Sequence, residues 1–140
     1  MRVSEAMSRQ VRTVEMDDTV QTIKLIFDNA DFHHLLVVEA GRLMGVISDR
    51  DLLRAVSPYV NSPAERPRDL QTLHRKAHQI MTRHPITVSP ADPLSAAVEP
   101  LLERRVSALP VIDGDWKLHG ILTWRDALRA GAGRWGWGAP

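Results

Sequence analysis

The stretch Gly45-Val46-Ile47-Ser48-Asp49-Arg50-Asp51-Leu52-Leu53 occurs again as Gly120-Ile121-Leu122-Thr123-Trp124-Arg125-Asp126-Ala127-Leu128. Each copy holds a glycine, an apolar strand end, a hydroxyl residue and, three positions later, an aspartate. A serine or threonine at this place caps a helix by accepting a hydrogen bond from a first-turn N–H, and the acidic residue completes a capping box. The pattern therefore predicts, twice, a strand that ends where a capped helix begins.

The same motif also has a ligand-binding interpretation. A helix N-terminus offers free N–H donors and a positive dipole end, which suit a phosphate group. An ionised carboxylate is an acceptor, so it suits a pair of ribose hydroxyls. Helix capping alone remains the alternative for Asp51 and Asp126, and a solvated surface position is the alternative for Arg50 and Arg125.

The duplication extends beyond the motif. Glu5-Ala6-Met7-Ser8 matches Gln79-Ile80-Met81-Thr82, and Thr13-Val14 matches Thr87-Val88 at the same offset. One residue is added in the second hairpin turn, Asp113-Gly114-Asp115. A long period that occurs only twice indicates two tandem modules rather than a solenoid.

Each module reads as strand, helix, strand, strand, helix. We expect the first module at residues 1–56, a linker with a connecting helix at 57–76, the second module at 77–130 and a loose Gly/Trp tail at 131–140. Hydrophobic periodicity predicts helices over residues 19–30, 69–80 and from Pro93 onward, where Pro100 should kink or split the helix. Apolar segments predict strands over residues 11–14, 35–38, 43–47, 86–88, 109–112 and 118–122.

Composition narrows the class of protein. The chain has 140 residues, of which 44% are hydrophobic and 25% are charged, with a formal net charge of +1. A nearly neutral chain lacks the basic field that nucleic-acid binding uses, so we expect no nucleic-acid partner. No apolar run approaches the roughly 18 residues of a membrane span, and there is no cysteine for disulfides, so we expect a soluble cytoplasmic protein without membrane contact.

These motifs resemble the CBS-domain family, whose tandem pairs are called Bateman modules. The resemblance rests on Ala6-Met7-Ser8, Ile80-Met81-Thr82, Ala108-Leu109-Pro110-Val111 and both Gly-x-x-Ser/Thr-x-x-Asp stretches. It implies an α/β fold of two modules packed as a pseudo-two-fold pair, and a homodimer. It also implies that an adenosine-containing ligand such as AMP, ADP, ATP or S-adenosylmethionine binds in the cleft between the modules. No cofactor is implied, and magnesium beside a polyphosphate remains open.

The resemblance also assigns roles to residues. The hydroxyl of Ser48 or Thr123 would contact phosphate, and the carboxylate of Asp51 or Asp126 would accept hydrogen bonds from ribose. The entry segments Thr13-Val14 and Thr87-Val88 would flank the adenine. The apolar segment Ala108-Leu109-Pro110-Val111 and its counterpart in the first module, His34-Leu35-Leu36-Val37, would lie beside the base. The implied ligand contacts are Thr13, Val14, His34, Leu36, Ser48, Arg50, Asp51, Thr87, Val88, Ala108, Leu109, Pro110, Thr123, Arg125 and Asp126.

The first module departs from the family pattern beside the base. It has His33-His34-Leu35-Leu36-Val37, without a proline at the place of Pro110. An imidazole here could stack on the base or donate to phosphate, and a partly buried pair at a strand edge is the alternative. Trp124 departs in the second motif, where it could stack on a ligand or pack on the surface.

The sequence gives little support for metal binding or catalysis. His74 and His78 could share one helix face, but no third ligand is evident, so a solvated face is favoured and we expect no metal site. The sequence contains no Gly-x-Ser-x-Gly elbow, phosphate-loop or dinucleotide motif, so we expect no enzyme.

Two functions fit these observations. The first is a regulatory ligand-sensing module that binds an adenine nucleotide and signals to a separate, unidentified partner protein. The second is a structural protein–protein interaction module whose nucleotide sites are vestigial. The altered first module and the tail residues Trp135 and Trp137 motivate the second.

Overall fold

The computed structural model describes residues 1–104 and 106–135, with side chains up to residue 132. Two compact units form: a central unit, Arg12–His84, and a split unit, which joins Met1–Val11 to the chain from Pro85 onward. Trp137 and the side chain of Trp135 lie outside the described residues. In the described residues, no helix is long and apolar enough to cross a membrane.

The structure contains both helices and strands, which confirms the predicted α/β class. In chain order they are α1 (Val3–Ala6), β1 (Thr13–Glu15), α2 (Val20–Asp28), β2 (His34–Glu39), β3 (Arg42–Ser48), α3 (Asp49–Ala55), α4 (Pro67–Gln71), a 3₁₀ turn (Thr72–His74), α5 (Ala77–Ile80), β4 (Thr82–Arg83), α6 (Ser95–Glu103), β5 (Ala108–Ile112), β6 (Leu118–Thr123) and α7 (Trp124–Trp135).

The central unit is built on a four-stranded sheet in the order β1-β2-β3-β4. Strand β1 is parallel to β2, and the other two pairs are antiparallel. Helix α2 is capped by Thr19, whose Oγ1 accepts a hydrogen bond from the Thr22 N–H at 3.3 Å. The core of the unit combines residues of the sheet, α2, α3 and α5: Val14, Val20, Ile23, Leu35, Val37, Ile47, Leu52, Ala77 and Met81.

The split unit repeats this plan with fewer regular strands. Strands β5 and β6 form an antiparallel pair. The pair is widened by an antiparallel bridge between Ser8 and Ile121 and a parallel bridge between Val88 and Val111. Its core draws on both parts of the sequence: Val3, Met7, Val88, Ala97, Leu101, Leu109, Val111 and Leu122.

The compact units do not follow the module boundaries 1–56 and 77–130 that the sequence suggests. Each sequence module donates its leading segment to the core of the other unit. Val3 and Met7 lie in the core of the split unit, whereas Ala77 and Met81 lie in the core of the central unit. Apolar periodicity predicts that a segment is buried, but it does not indicate which part of the chain the segment packs against.

The strands β2, β3, β5 and β6 and the helices α2 and α3 confirm the sequence predictions. The single helix expected over residues 69–80 is wrong, because Arg75 and Lys76 are extended and separate the 3₁₀ turn from α5. The extended stretch is held by the Arg75 carbonyl, which accepts the Val20 N–H at 2.7 Å. Helix α6 continues through Pro100, and α7 extends into the expected tail as far as Trp135.

Two glycines allow the exchanged segments to approach. A Cβ on Gly45 would lie 2.5 Å from the Sδ of Met81 and 2.8 Å from the carbonyl oxygen of Thr82. A Cβ on Gly120 would lie 2.5 Å from the carbonyl oxygen of Ser8. Both strands therefore need a residue without a side chain where the leading segment crosses them.

A buried carboxylate fixes the segment after α3. Asp69 is 6% exposed. Its Oδ1 accepts the Ser57 hydroxyl at 2.7 Å, and its Oδ2 accepts the Arg66 N–H at 2.8 Å. These hydrogen bonds, that of Ser57 first, lower the pKa of the Asp69 carboxyl. The ionised carboxyl therefore ties α4 to the end of α3.

We predict that Gly45→Ala and Gly120→Ala each lower the free energy of unfolding by about 1–3 kcal/mol, because the added methyl group overpacks a closed contact. Gly114→Ala is the matched control, since its Cβ would meet no atom within 4 Å. Urea denaturation monitored by circular dichroism measures the difference. Equal stability of Gly45→Ala and Gly114→Ala would contradict the close approach.

Asp69→Asn should lower the melting temperature at pH 7, and the gap to the wild type should narrow on acidification. The folded pKa of Asp69 lies below its ordinary value, so its stabilisation is present above the ordinary pKa of about 3.9. That stabilisation is lost as the pH falls through the ordinary pKa towards the lowered one. Melting curves between about pH 7 and pH 3 test this, and a gap independent of pH would argue against it.

Candidate functional site

The first copy of the motif forms a capping box in the central unit. Ser48 ends β3 and caps α3. Its Oγ accepts the Asp51 N–H at 3.1 Å, and the Asp51 Oδ2 accepts the Ser48 N–H at 2.8 Å. The predicted capped helix is confirmed, and one carboxylate oxygen of Asp51 is used to make it.

The second copy builds the same box in the split unit. The Thr123 Oγ1 accepts the Asp126 N–H at 3.2 Å, and the Asp126 Oδ2 accepts the Thr123 N–H at 3.0 Å. The Asp126 Oδ1 lies 3.8 Å from Nη1 of Arg129. Sequence reasoning missed Arg129, although the repeat held a signal for it, since Arg54 takes the same place after Asp51.

In the central unit, four of the predicted contacts share one face of the sheet. Thr13 is the partner of Leu36, and His34 is the partner of Ser48. Residues two apart in a strand point to the same side, so all four side chains lie on the side away from α2. Thr13 is exposed, His34 and Ser48 are half-buried, and Leu36 is fully buried.

The split unit brings the equivalent residues together in the same way. Ala108 is the partner of Thr123, and both are half-buried. Pro110 shares their side of the strand pair and is fully buried. Thr87 is half-buried and directly precedes Val88, whose N–H donates to the Pro110 carbonyl at 3.0 Å.

Three predicted contacts face the opposite side. The side chains of Val14, Val88 and Leu109 lie in the hydrophobic cores of their units. This follows from strand alternation, because the neighbour of a residue on the site face points into the core. Their side chains therefore stabilise the units, and only their backbone borders the site face.

The first-turn N–H groups of the two helices are partly used. The Asp49 N–H donates to the His33 carbonyl at 3.0 Å, and the Trp124 N–H donates to the Ser107 carbonyl at 3.2 Å. The side chains of Arg50 and Arg125 are exposed at these helix ends. The first N–H of each helix is therefore used by the residue that precedes β2 or β5, and hydroxyl, carboxylate and guanidinium side chains add further polar groups at the same helix end.

The two histidines of the first module lie beside this helix end. Nδ1 of His33 is 3.0 Å from Oδ2 of Asp49. Burial lowers the pKa of His34, and the carboxylate of Asp49 acts in the opposite direction. Burial therefore favours the uncharged form of the His34 imidazole.

The other predicted pair of histidines does not share a helix. His74 belongs to the 3₁₀ turn and His78 to α5, with the extended Arg75 and Lys76 between them. Nε2 of His78 lies 3.8 Å from Oδ1 of Asp17. Across the part of the chain that the structure describes, no group of three or more His, Asp or Glu residues could hold a metal ion.

Two sites of the same construction, one in each unit, define a tandem-repeat protein with a capped helix at the end of each sheet. The sequence profile of the CBS domain matches residues 3–58 and 77–133. The chain therefore belongs to the CBS-domain family and contains two copies of the domain.

Relatives by sequence include whole proteins and parts of enzymes. The chain is 32% identical over 128 residues to a CBS domain-containing protein of Dictyostelium discoideum, covering 90% of this chain and 88% of that protein. It is also 32% identical over 123 residues to L-aspartate semialdehyde sulfurtransferase of Methanosarcina acetivorans. That match covers 86% of this chain but only 22% of the enzyme.

Solved structures share the fold. The crystal structure of CBSX2 in complex with AMP is similar with a TM-score of 0.80 and 28% identity, covering 95% of this chain and 97% of that chain. The CBS domain pair of MJ0100 in complex with 5′-methylthioadenosine and S-adenosyl-L-methionine has a TM-score of 0.76 at 23% identity, covering 96% and 98%. The second likeness concerns the fold alone.

Proposed function

We propose that this protein is a regulatory module that senses an adenine nucleotide such as AMP, ADP or ATP. The observation that carries the proposal is the pair of equivalent capping boxes, Ser48 with Asp51 and Thr123 with Asp126, each at the end of a strand. The likeness to CBSX2, whose structure contains AMP, supports the class of ligand.

Each aspartate keeps one carboxylate oxygen, Oδ1, outside its capping box. In each box, Oδ2 of the aspartate accepts the backbone N–H of the cap residue, so Oδ1 is the oxygen that would accept the ribose hydroxyls. The capping bonds hold the carboxylate in place before the ligand arrives, which reduces the entropy lost on binding. Thr13 and Thr87 would border the base, and Ser48, Thr123, Arg50 and Arg125 would contact phosphate.

The two sites would treat the base and phosphate differently. In the split unit, Ala108 and Pro110 form a small apolar border beside Thr123. In the central unit, His34 takes the place of Ala108 and adds an aromatic ring that can stack on adenine or donate to phosphate. Magnesium would be needed only if the ligand is a polyphosphate.

We predict that Asp51→Asn and Asp126→Asn, alone and combined, lower nucleotide affinity by about tenfold to hundredfold. The asparagine oxygen can still accept the capping N–H, but the charged acceptor for the ribose is lost, and a hydrogen bond to a charged group contributes about 1.5–3 kcal/mol. Isothermal titration calorimetry with AMP, ADP and ATP measures the change.

Asp115→Asn is the control for the lost charge, because Asp115 is exposed in the turn between β5 and β6. It should bind nucleotide like the wild type. If Asp51→Asn and Asp126→Asn also bind like the wild type while remaining folded, the two carboxylates serve the helix caps alone and the ribose role is wrong.

We further propose that the protein forms a homodimer through α3 and α7. Leu53 and Leu128 occupy the same position in the two repeats and are 78% and 52% exposed. An exposed apolar residue that occurs in both copies of a repeat suits a surface that another subunit covers. A separate, unidentified regulated protein would respond to the ligand.

Leu53→Glu and Leu128→Glu should each shift the protein from dimer to monomer, because a buried unpaired carboxylate opposes association. Leu70→Glu is the matched control, since Leu70 is also exposed, at 41%, but lies on α4. Analytical ultracentrifugation measures the mass. A dimer that tolerates both substitutions on α3 and α7 would contradict this interface.

The second function hypothesis, a structural interaction module with vestigial nucleotide sites, uses the same exposed leucines. It would hold if the protein associates through Leu53 and Leu128 but binds no nucleotide. We propose no enzymatic activity, no nucleic-acid or membrane partner and a cytoplasmic location, as the sequence suggests.

A further inference from the structure

A second arginine belongs to each repeated motif. Arg54 follows Asp51 by three residues, and Arg129 follows Asp126 by three, so each pair shares a helix face. In the split unit, Nη1 of Arg129 lies 3.8 Å from Oδ1 of Asp126. In the central unit, Arg54 and Asp51 instead line an open depression.

This depression lies between α3 and α5 and has a volume of about 200 Å³. Its lining residues are Asp51, Arg54, Ala55, Arg75, Gln79 and Ile80. This volume is several times the roughly 30 Å³ that one water molecule occupies in the liquid, so a phosphate group fits in the depression. We call it the Arg54–Arg75 depression.

The charges in the depression are unbalanced. Two arginines and one aspartate line it, and the carboxylate of that aspartate already accepts the Ser48 N–H at 2.8 Å. Within the described residues, no carboxylate lies within 4.0 Å of a guanidinium nitrogen of Arg54 or Arg75. The depression therefore presents unneutralised positive charge.

The side chain of Arg75 is held in position by α5, the helix that follows it. Its Nη2 donates to the Gln79 carbonyl at 3.3 Å, at the end of α5. A guanidinium group has five N–H donors, so the remaining donors stay available for an anion. Planar guanidinium groups bind phosphate oxygens through two parallel hydrogen bonds.

The repeat provides an internal comparison. At the offset that matches Gln79-Ile80-Met81 to Glu5-Ala6-Met7, Arg75 corresponds to Met1 and Gln79 to Glu5. The split unit therefore has an uncharged side chain and a carboxylate where the central unit has a guanidinium and an amide. The sequence therefore gives the central unit a guanidinium side chain at a place where the split unit has none.

We infer that the Arg54–Arg75 depression is an anion subsite that binds a phosphate group beside Asp51. The inference rests on the proposed nucleotide-binding function for the source of that phosphate. Asp51 borders both the nucleoside site and the depression, so one ligand can be held by its ribose and by its anionic end. The central unit thereby selects phosphate-bearing ligands over the nucleoside.

Calorimetry with adenosine, AMP, ATP and inorganic pyrophosphate tests this subsite, on the wild type and on Arg54→Gln and Arg75→Gln. Each substitution should lower the affinity for AMP, ATP and pyrophosphate by about tenfold and leave the affinity for adenosine unchanged. Arg68→Gln removes the same charge from an exposed position on α4 and should change none of the four. Circular dichroism melting curves check that each variant is folded.

The outcomes separate the subsite from the proposed function. If Arg54→Gln and Arg75→Gln bind AMP, ATP and pyrophosphate like the wild type, the subsite is refuted and the nucleotide function stands. If the wild type binds pyrophosphate in an Arg54-dependent way but binds no adenosine compound, the nucleotide function is refuted and the subsite stands. Binding of none of the four compounds overturns both.

Discussion

The pair of hydrogen bonds between Ser8 and Ile121 closes the split unit. The Ser8 N–H donates to the Ile121 carbonyl at 2.9 Å, and the Ile121 N–H donates to the Ser8 carbonyl at 3.0 Å. In the central unit, Thr82 pairs with Val46 in the same way. In both units the exchanged segment lies against the strand that ends at the cap residue. The position of each cap, and of the aspartate behind it, therefore depends on this exchange.

The capping boxes give one set of residues two uses. A carboxylate that accepts a backbone N–H at its own helix terminus has a fixed orientation, and its second oxygen remains available for a ligand. Helix capping and ligand binding are therefore compatible roles for Asp51 and Asp126. The sites differ in their surroundings. His34 stands where the split unit has Ala108, and the Arg54–Arg75 depression adjoins the site of the central unit.

Local patterns predicted much of this structure. The repeated motif predicted both capped helices, and apolar runs predicted β2, β3, β5 and β6, because these signals depend on neighbouring residues. The exchange of leading segments could not be predicted from local patterns, since an apolar residue such as Val3 or Ala77 does not indicate which unit will bury it. Val14 and Leu109 were assigned to the ligand by resemblance, although strand alternation turns them into the core. Arg54 and Arg129 were missed because an exposed helical arginine has no distinctive local pattern, although both follow the motif aspartate by three residues.

The most direct test of the central claim is a thermal-shift panel on the wild-type protein with AMP, ADP, ATP, S-adenosylmethionine and NAD. A ligand at about 100 times its dissociation constant stabilises the fold by about 2.7 kcal/mol. The account predicts a clear rise in melting temperature with at least one adenine nucleotide among AMP, ADP and ATP. No rise with any of the five compounds would contradict it and would favour the interaction module.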